Sequence, residues 1–515
     1  MRLGRTWTVA LVGLQGHLVE VEAQRSQGLP AFTLVGLPDA SVNEARERVR
    51  SAVTACGLAW QPARRTVNLS PASLPKRGTS LDLALAVAVL AAEDLPAAAE
   101  AARTVHLGEL ALDGRVRPVR GVLPAVAAAV AAGSPDVVVP AGNATEAALV
   151  PGARVRAVHH LAEVVRAYGG VAQAPTAAPA PAEPPAVPAR GDTGAQDLAD
   201  VLGQDEARFA LEVAAAGGHH LLLVGAPGAG KTMLAARLPG LLPDLADAEA
   251  VEVTAIHSVA GTFDPEGGLL RRPPFEDPHH TATPAAVIGG GSGLPRPGAA
   301  SRAHRGVLFL DEAPEFSPRV LETLRQPLEH GELVLHRAAG SARYPARFQL
   351  VLAANPCPCG KAVGKGLRCT CSPAERRRYL ARLSGPLLDR IDIQVDVAPV
   401  TRAMLALAGP PETSAAVAAR VAAARARQAA RLAGTPWRLN AEVPGAWLRG
   451  PEAGLATEVR RSLDRALDRG SLSMRGVDRV LRLAWTLADL AGRAGPSTAD
   501  VGTALGLRTR GGPDA

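Results

Sequence analysis

Four stretches near the start of the chain carry apolar side chains with the short period of strands: Trp7–Leu11, Leu18–Ala23, Phe32–Gly36 and Thr66–Leu69. Between and after them run amphipathic or Ala-rich stretches of helical length, Ser41–Cys56, Leu81–Ala92 and Leu123–Ala132, and then a valine-rich strand at Asp136–Pro140. Strands interleaved with helices predict an α/β domain over residues 1–168. From Gly169 the sequence turns Ala/Pro-rich and loses apolar periodicity, so 169–195 reads as a linker that cannot build a core. Past it the pattern predicts a helix at Ala207–Ala216 and an apolar strand at Leu221–Val224. A second strand follows at Val251–His257, then a Gly/Pro-rich insertion from Gly261 to Gly298, and buried strands at Val307–Leu310 and Phe348–Ala353. This alternation over 196–400 predicts a doubly wound parallel sheet with its ligand at the strands' C-terminal ends. Beyond it, 401–515 is Ala/Arg/Leu-rich and helical throughout, as in Ser414–Leu432, Thr457–Asp468 and Val477–Gly492, which predicts a small helical lid.

The strand at Leu221–Val224 runs directly into Gly225-Ala226-Pro227-Gly228-Ala229-Gly230-Lys231-Thr232, a full GxxxxGK[ST] match followed by a helix-like segment. Glycines at this spacing let backbone N–H groups wrap phosphates, while Lys231 reaches the β- and γ-phosphates and the Thr232 hydroxyl ligates Mg²⁺. The pattern predicts a bound nucleoside triphosphate. Val307–Leu310 ends in Asp311-Glu312, an arrangement in which Asp311 holds Mg²⁺ and Glu312 polarises the attacking water. The next buried strand ends in Asn355, placed to sense a γ-phosphate or water between neighbouring strands.

Composition narrows the surroundings. The chain has 515 residues, with 56 Lys+Arg against 49 Asp+Glu, and most of the positive charge is arginine. That balance permits a polyanionic partner without requiring one. Aromatics are 3% of the residues, too few for a binding mode built on base-stacking platforms. The Ala-rich runs are shorter than a membrane span and soon meet Glu93 and Asp94, so a cytosolic protein is expected. Of five cysteines, four lie between Cys357 and Cys371 as CxC…CxC with nine residues between the pairs. In a reducing compartment Cys357, Cys359, Cys369 and Cys371 suit tetrahedral Zn²⁺, with Gly364, Lys365 and Gly366 making the turn; reduced thiols or a redox pair are the alternatives. A site closed by four protein ligands is structural and would pin the loop after Asn355. Cys56, alone at a helix end, reads as packed. His159-His160 and His219-His220 read as surface pairs beside strands, and His279-His280 as part of a loop or pore-facing segment.

The phosphate loop, Asp311-Glu312, Glu322–Glu329, Pro345–Phe348, Asn355-Pro356 and Ser384–Arg390 together resemble the magnesium-chelatase-like AAA+ ATPases, in particular the ComM/YifB family, over essentially the whole chain. The resemblance implies ATP and Mg²⁺ as ligands, Asn355 as sensor 1, Arg390 as the arginine finger and Arg475 as the sensor 2 arginine. An arginine finger acts on a neighbouring subunit's γ-phosphate, so a homo-hexameric ring is implied. It also places the stretch Arg272–Thr281, followed by Gly289-Gly290-Gly291, at a ring pore. From the residues alone, the lesser alternatives are a salt bridge from Arg390 to Asp389 or Asp392 and a solvated charge at Arg475.

Lys76–Ala84 and Gly108–Val119 resemble the Lon-protease-like fold, whose peptidases use a Ser–Lys dyad. Ser80 stands in the serine's place, but the lysine's position holds Leu123. Without that base no peptidase activity is expected, and the domain reads as a scaffold or docking module, as the same fold serves in a recombination-associated ATPase. The ComM-type resemblance implies a hexameric helicase driving branch migration of DNA in homologous recombination during natural transformation. Arg271-Arg272 and Arg376–Arg378 could track phosphates or be a solvated face. The alternative is a protein-remodelling ATPase of the magnesium-chelatase type. Against that reading stand the N-terminal domain and the cysteine cluster, which the chelatase motor subunit lacks.

Overall fold

The computed structural model describes residues 2–36, 39–76, 78–174, 196–291, 295–337, 340–362, 368–407, 409, 411–468 and 472–509. Most of the expected linker, and the expected turn residues Gly364, Lys365 and Gly366, lie outside the described residues.

The first sheet is built on a long antiparallel hairpin, β1 (Arg2–Val12) and β2 (Gln15–Ser26), paired from Arg2↔Arg25 to Val12↔Gln15. Gly13 supplies the left-handed residue of the turn, with φ of +65°. With β3 (Ala31–Val35), β4 (Arg64–Ser70), β5 (Val105–His106), β6 (Asp136–Pro140) and β7 (Arg154–Val158) the order is β3-β4-β2-β1-β5-β6-β7. Helices α1 (Ala40–Ala55) and α2 (Asp82–Ala91) cover one part of this sheet, and α2 is buried along its whole length. Helix α3 (Val122–Ala131) packs on β1 and β2 in a separate apolar cluster.

The second unit begins with α4 (Asp205–Gly217) and β8 (Leu221–Gly225), followed by α5 (Lys231–Arg237) and α6 (Asp247–Ala260). Strands β9 (Phe275–Glu276), β10 (Val307–Leu310), β11 (Gln349–Ala354) and β12 (Ile393–Val397) join β8 in an all-parallel sheet of order β9-β10-β11-β8-β12. The first strand of this unit, β8, thus lies between β11 and β12, and the loops leaving β8, β10 and β11 converge at one edge, where an open parallel sheet binds ligands.

Two expectations need correction. Val251–His257 is not a strand but lies within α6, with Ala250, Val253, Thr254, Ala255, Ile256, His257 and Ser258 buried. Burial on several faces blurs the helical period, and the β-branched residues alternate by coincidence. Ala255 joins the apolar cluster of α3, and Ser258 hydrogen-bonds Glu146, so this helix is the seat on which the first unit rests. The strand beside β10 is instead Phe275–Glu276, kept to two residues by Pro273-Pro274 before it and Pro278 after it.

Nor do the pairs His159-His160 and His219-His220 lie wholly at the surface: His159 is exposed, but one member of each pair is buried. His160 is buried with Nε2 at 2.8 Å from the Asp113 carbonyl, and His219 is fully buried. His219 lies at the root of β8, where Nδ1 is 3.0 Å from Asp392 Oδ2 and Nε2 is 2.8 Å from Thr486 Oγ1. Cys56 is buried, as expected.

After α7 (Pro373–Leu380) and β12 the chain is helical: α8 (Ser414–Arg431), α9 (Thr457–Asp468), α10 (Met474–Leu490) and α11 (Thr498–Thr509). A buried polar network docks these helices on the sheet. Asp392 accepts from His219 and Arg479; Thr486 and Asp489 meet Asn440 Nδ2 at 3.0 and 2.9 Å; Arg431 pairs with Asp489. Burial alone would raise the Asp392 pKa, but the His219 hydrogen bond and the Arg479 charge outweigh it and hold the carboxyl well below its usual range. No helix among the described residues is long and apolar enough to cross a membrane.

Removing one partner of a buried charged pair strands the other. Asp392→Ala should therefore cost about 3–5 kcal/mol, read as an earlier urea transition. Because the folded pKa is depressed, the wild-type contribution is present above the ordinary carboxylate pKa of about 3.9 and fades as pH falls below it. The variant should lose less on acidification than the wild type; equal midpoints at pH 7 would remove this network from the stability of the dock.

Candidate functional site at the strand C-termini

Gly225 closes β8 against β12, where a Cβ would stand 2.4 Å from the Val397 carbonyl oxygen. Gly228 and Gly230 adopt φ of +75° and +94°, and Ala229 is buried beneath the turn they make with Ala226 and Pro227. At the loop's end Lys231 folds inward. Its ammonium donates to the carbonyls of Gly225 at 2.7 Å and Ala226 at 3.0 Å and to Asn355 Oδ1 at 3.1 Å. Burial pulls its pKa down while Asp311 and Glu312 act in the opposite sense.

One position on, the Thr232 hydroxyl donates to Asp311 Oδ2 at 2.6 Å. Residues from three strand ends, Lys231 and Thr232 after β8, Asp311 after β10 and Asn355 after β11, thus form one cluster of two hydrogen-bonded pairs, Lys231 with Asn355 and Thr232 with Asp311. It brings together two oxygen donors suited to a hard divalent cation and one cation suited to phosphate. Glu312 borders the cluster with φ of +50°, an uncommon backbone conformation for a non-glycine residue. Its backbone N–H donates to Asp311 Oδ1 at 2.9 Å, and its carboxylate lies 3.4 Å from His280 Nδ1.

Register explains that last contact: Glu276 pairs with Leu308, and four residues further along each chain stand His280 and Glu312. Sequence reading gave His280 no such partner. It also missed Tyr379 on α7, a buried tyrosine in an Arg-rich turn. Burial and the nearby Glu315 push its hydroxyl up to about 12.

Arg390 and Arg475 are not in this cluster. Arg390 lies three residues before β12, whose register with β8 runs Leu221↔Ile393 to Gly225↔Val397. It therefore sits at the opposite end of the sheet, on the order of 13 Å along the strands from the phosphate loop. It pairs with Glu329, rather than with Asp389 or Asp392, and donates to the Pro386 carbonyl at 2.7 Å. Arg475, 83% exposed, reaches Asp389 Oδ2 at 3.3 Å, beside Arg390. The two arginines share an edge remote from their own chain's cluster.

The four cysteines converge, with all Sγ atoms within 4.8 Å of one another. Cys357 lies 3.3 Å from Cys359 and 3.7 Å from Cys369, and Cys359 lies 3.7 Å from Cys369. Tetrahedral zinc with Zn–S bonds of about 2.3 Å requires sulfurs about 3.8 Å apart, so the set fits a closed thiolate site. Backbone N–H groups of Lys361 and Thr370 point at Cys359 Sγ and draw its pKa down to about 6.

In the first unit Ser80 is half-buried before α2, and Leu123 is buried at the start of α3. The nearby Lys76 is buried with its ammonium on the Pro71 carbonyl.

Three family descriptions match the chain in succession: Subunit ChlI of Mg-chelatase over residues 21–143, Magnesium chelatase, subunit ChlI over 197–405, and the C-terminal part of the same subunit over 411–508. The chain is 54% identical to an uncharacterized protein of Mycobacterium tuberculosis, covering 99% of each. It is 41% identical to the competence protein ComM of Haemophilus influenzae, over 99% of this chain and 98% of that one. It is also 41% identical to YifB of Escherichia coli, over 95% and 94%.

Proposed function

The chain belongs to the ComM/YifB family of magnesium-chelatase-like AAA+ ATPases, and from that premise we propose that it is a ring-forming, ATP-hydrolysing motor acting on DNA. The observation that carries the ATPase part is that adjacent residues of the phosphate loop hold two strand ends at once, Lys231 bonded to Asn355 and Thr232 bonded to Asp311. With ATP in place, the Lys231 donors now held by loop carbonyls turn to the β- and γ-phosphates. Thr232 and Asp311 are the residues that would hold Mg²⁺, which screens phosphate charge when bound. Glu312 orients the attacking water and Asn355 reports the γ-phosphate.

Arg390 and Arg475 face away from this cluster, which suits arginines that complete a neighbouring subunit's site; a hexameric ring follows from the family reading. The DNA assignment rests on similarity to a competence protein along nearly the whole chain, and branch migration in recombination is the activity proposed. Ser80 has no basic residue at position 123, so the first unit is a scaffold rather than a peptidase. The cysteine set holds structural Zn²⁺.

Hydrolysis of ATP and strand movement on a synthetic three-strand junction test the motor. The wild-type chain should hydrolyse faster with the junction and move the branch, and its affinity for DNA should fall steeply with salt. Glu312→Gln should still bind ATP but lose about 10²-fold or more in turnover. Hydrolysis indifferent to every DNA would favour protein remodelling.

Elemental analysis tests the metal. Purified chain should carry about one zinc, and Cys357→Ser with Cys369→Ser should carry almost none. Less than about a tenth of an equivalent in the wild type would overturn the assignment.

A further inference from the structure

The cysteine loop meets the candidate ATP site at two points and is anchored at a third. At its entry, Cys357 follows Asn355 by two residues, and the Asn355 side chain accepts from the Lys231 ammonium. At its tip, Gly360 is buried with φ of +72° and lies directly on the phosphate loop, so that a Cβ there would stand 2.6 Å from Pro227 Cδ. The tip is turned by the Gly360 N–H donating to the Cys357 carbonyl at 2.9 Å. At its exit, Arg376 Nε of α7 donates to the Cys371 carbonyl at 3.3 Å.

Little apolar packing holds this loop. Among its described residues from 356 to 372, Cys357 is the one buried apolar side chain, and Cys359, Cys369 and Cys371 are half-exposed. A cation shared by four thiolates is the strongest organising force open to such a segment. What it organises is Gly360 against Pro227.

Resting on the ATP-site and zinc readings above, we infer that the cysteine loop and the phosphate loop form one coupled unit, in which a thiophilic divalent cation at Cys357, Cys359, Cys369 and Cys371 and ATP at the phosphate loop each tighten the binding of the other through the Gly360–Pro227 contact. The metal fixes the tip that backs Pro227, so less ordering is left for the nucleotide to supply. By linkage the nucleotide must raise metal affinity by the same factor.

The test uses the full-length chain, zinc ion titrated against a competing chromogenic chelator, and a non-hydrolysable ATP analogue with Mg²⁺. Saturating analogue should lower the zinc dissociation constant by about fivefold or more, and removing zinc should weaken analogue binding by the same ratio. Gly360→Ala forces the tip off Pro227 yet leaves all four sulfurs; Pro227→Ala removes the ring that the tip rests on. Both should bind zinc with an affinity that the analogue no longer changes. Equal zinc affinities with and without bound analogue in the wild type would overturn the coupling and leave the ATPase standing, as would coupling that survives in both variants. A chain that binds no analogue at all overturns the ATP-site reading and this inference with it.

Discussion

A buried ammonium is the constraint on which the site depends. Lys231 cannot sit at the mouth of the sheet without partners, because an unpaired charge removed from water is costly. The carbonyls of Gly225 and Ala226 and the Asn355 side chain supply them. This fixes the turn of the loop and ties the end of β8 to the end of β11. The glycines at 228 and 230 matter because they let the chain double back far enough for this to happen. The strand order does the rest, since β8 lies between β11 and β12 and β11 lies beside β10. Asp311 is thereby brought within reach of Thr232. The same ammonium that satisfies itself on the loop is free to exchange those carbonyls for phosphate oxygens.

The other end of β8 is held by the opposite kind of device. His219, Asp392, Thr486, Arg479 and Asp489 form a buried polar junction between the root of the sheet and the last helices. It sits where Asp389 and Arg390 lead into β12, so the edge bearing Arg390 and Arg475 is braced from inside by Asp392. The strand that carries the phosphate loop is therefore fixed at both ends.

Legibility in the sequence followed how local each constraint is. The phosphate loop, the Asp311-Glu312 strand end and Asn355 could be read because a few adjacent residues specify them: glycines where φ is positive, an apolar run where a strand is buried on both faces, a polar residue where it emerges. The helices from Ser414 onward were readable for the same reason, with Thr457–Asp468 matching residue for residue. Segment Val251–His257 was not, since α6 is pressed between two units and its burial follows both partners rather than its own period. Nor could the two-residue β9 be found, because paired prolines cut it to a length below any pattern. His219 looked like half of a surface pair since its partners, Asp392 and Thr486, lie 173 and 267 residues away in sequence. The Gly360–Pro227 contact has no local signature at all.

Why the first unit rests where it does follows from the same helix. α6 buries Ala255 against α3 and offers Ser258 to Glu146, whose carboxylate also accepts from the Leu123 N–H at 3.0 Å. Position 123 is therefore spent on docking: its side chain is in the α3 cluster and its backbone is fixed by the carboxylate that also receives Ser258. A lysine there would have to place a charge in that apolar seam, at a desolvation cost that leucine avoids. The leucine at position 123 and the seating of the first unit on α6 are then one structural fact, because the same carboxylate, Glu146, holds the Leu123 backbone and Ser258 of α6.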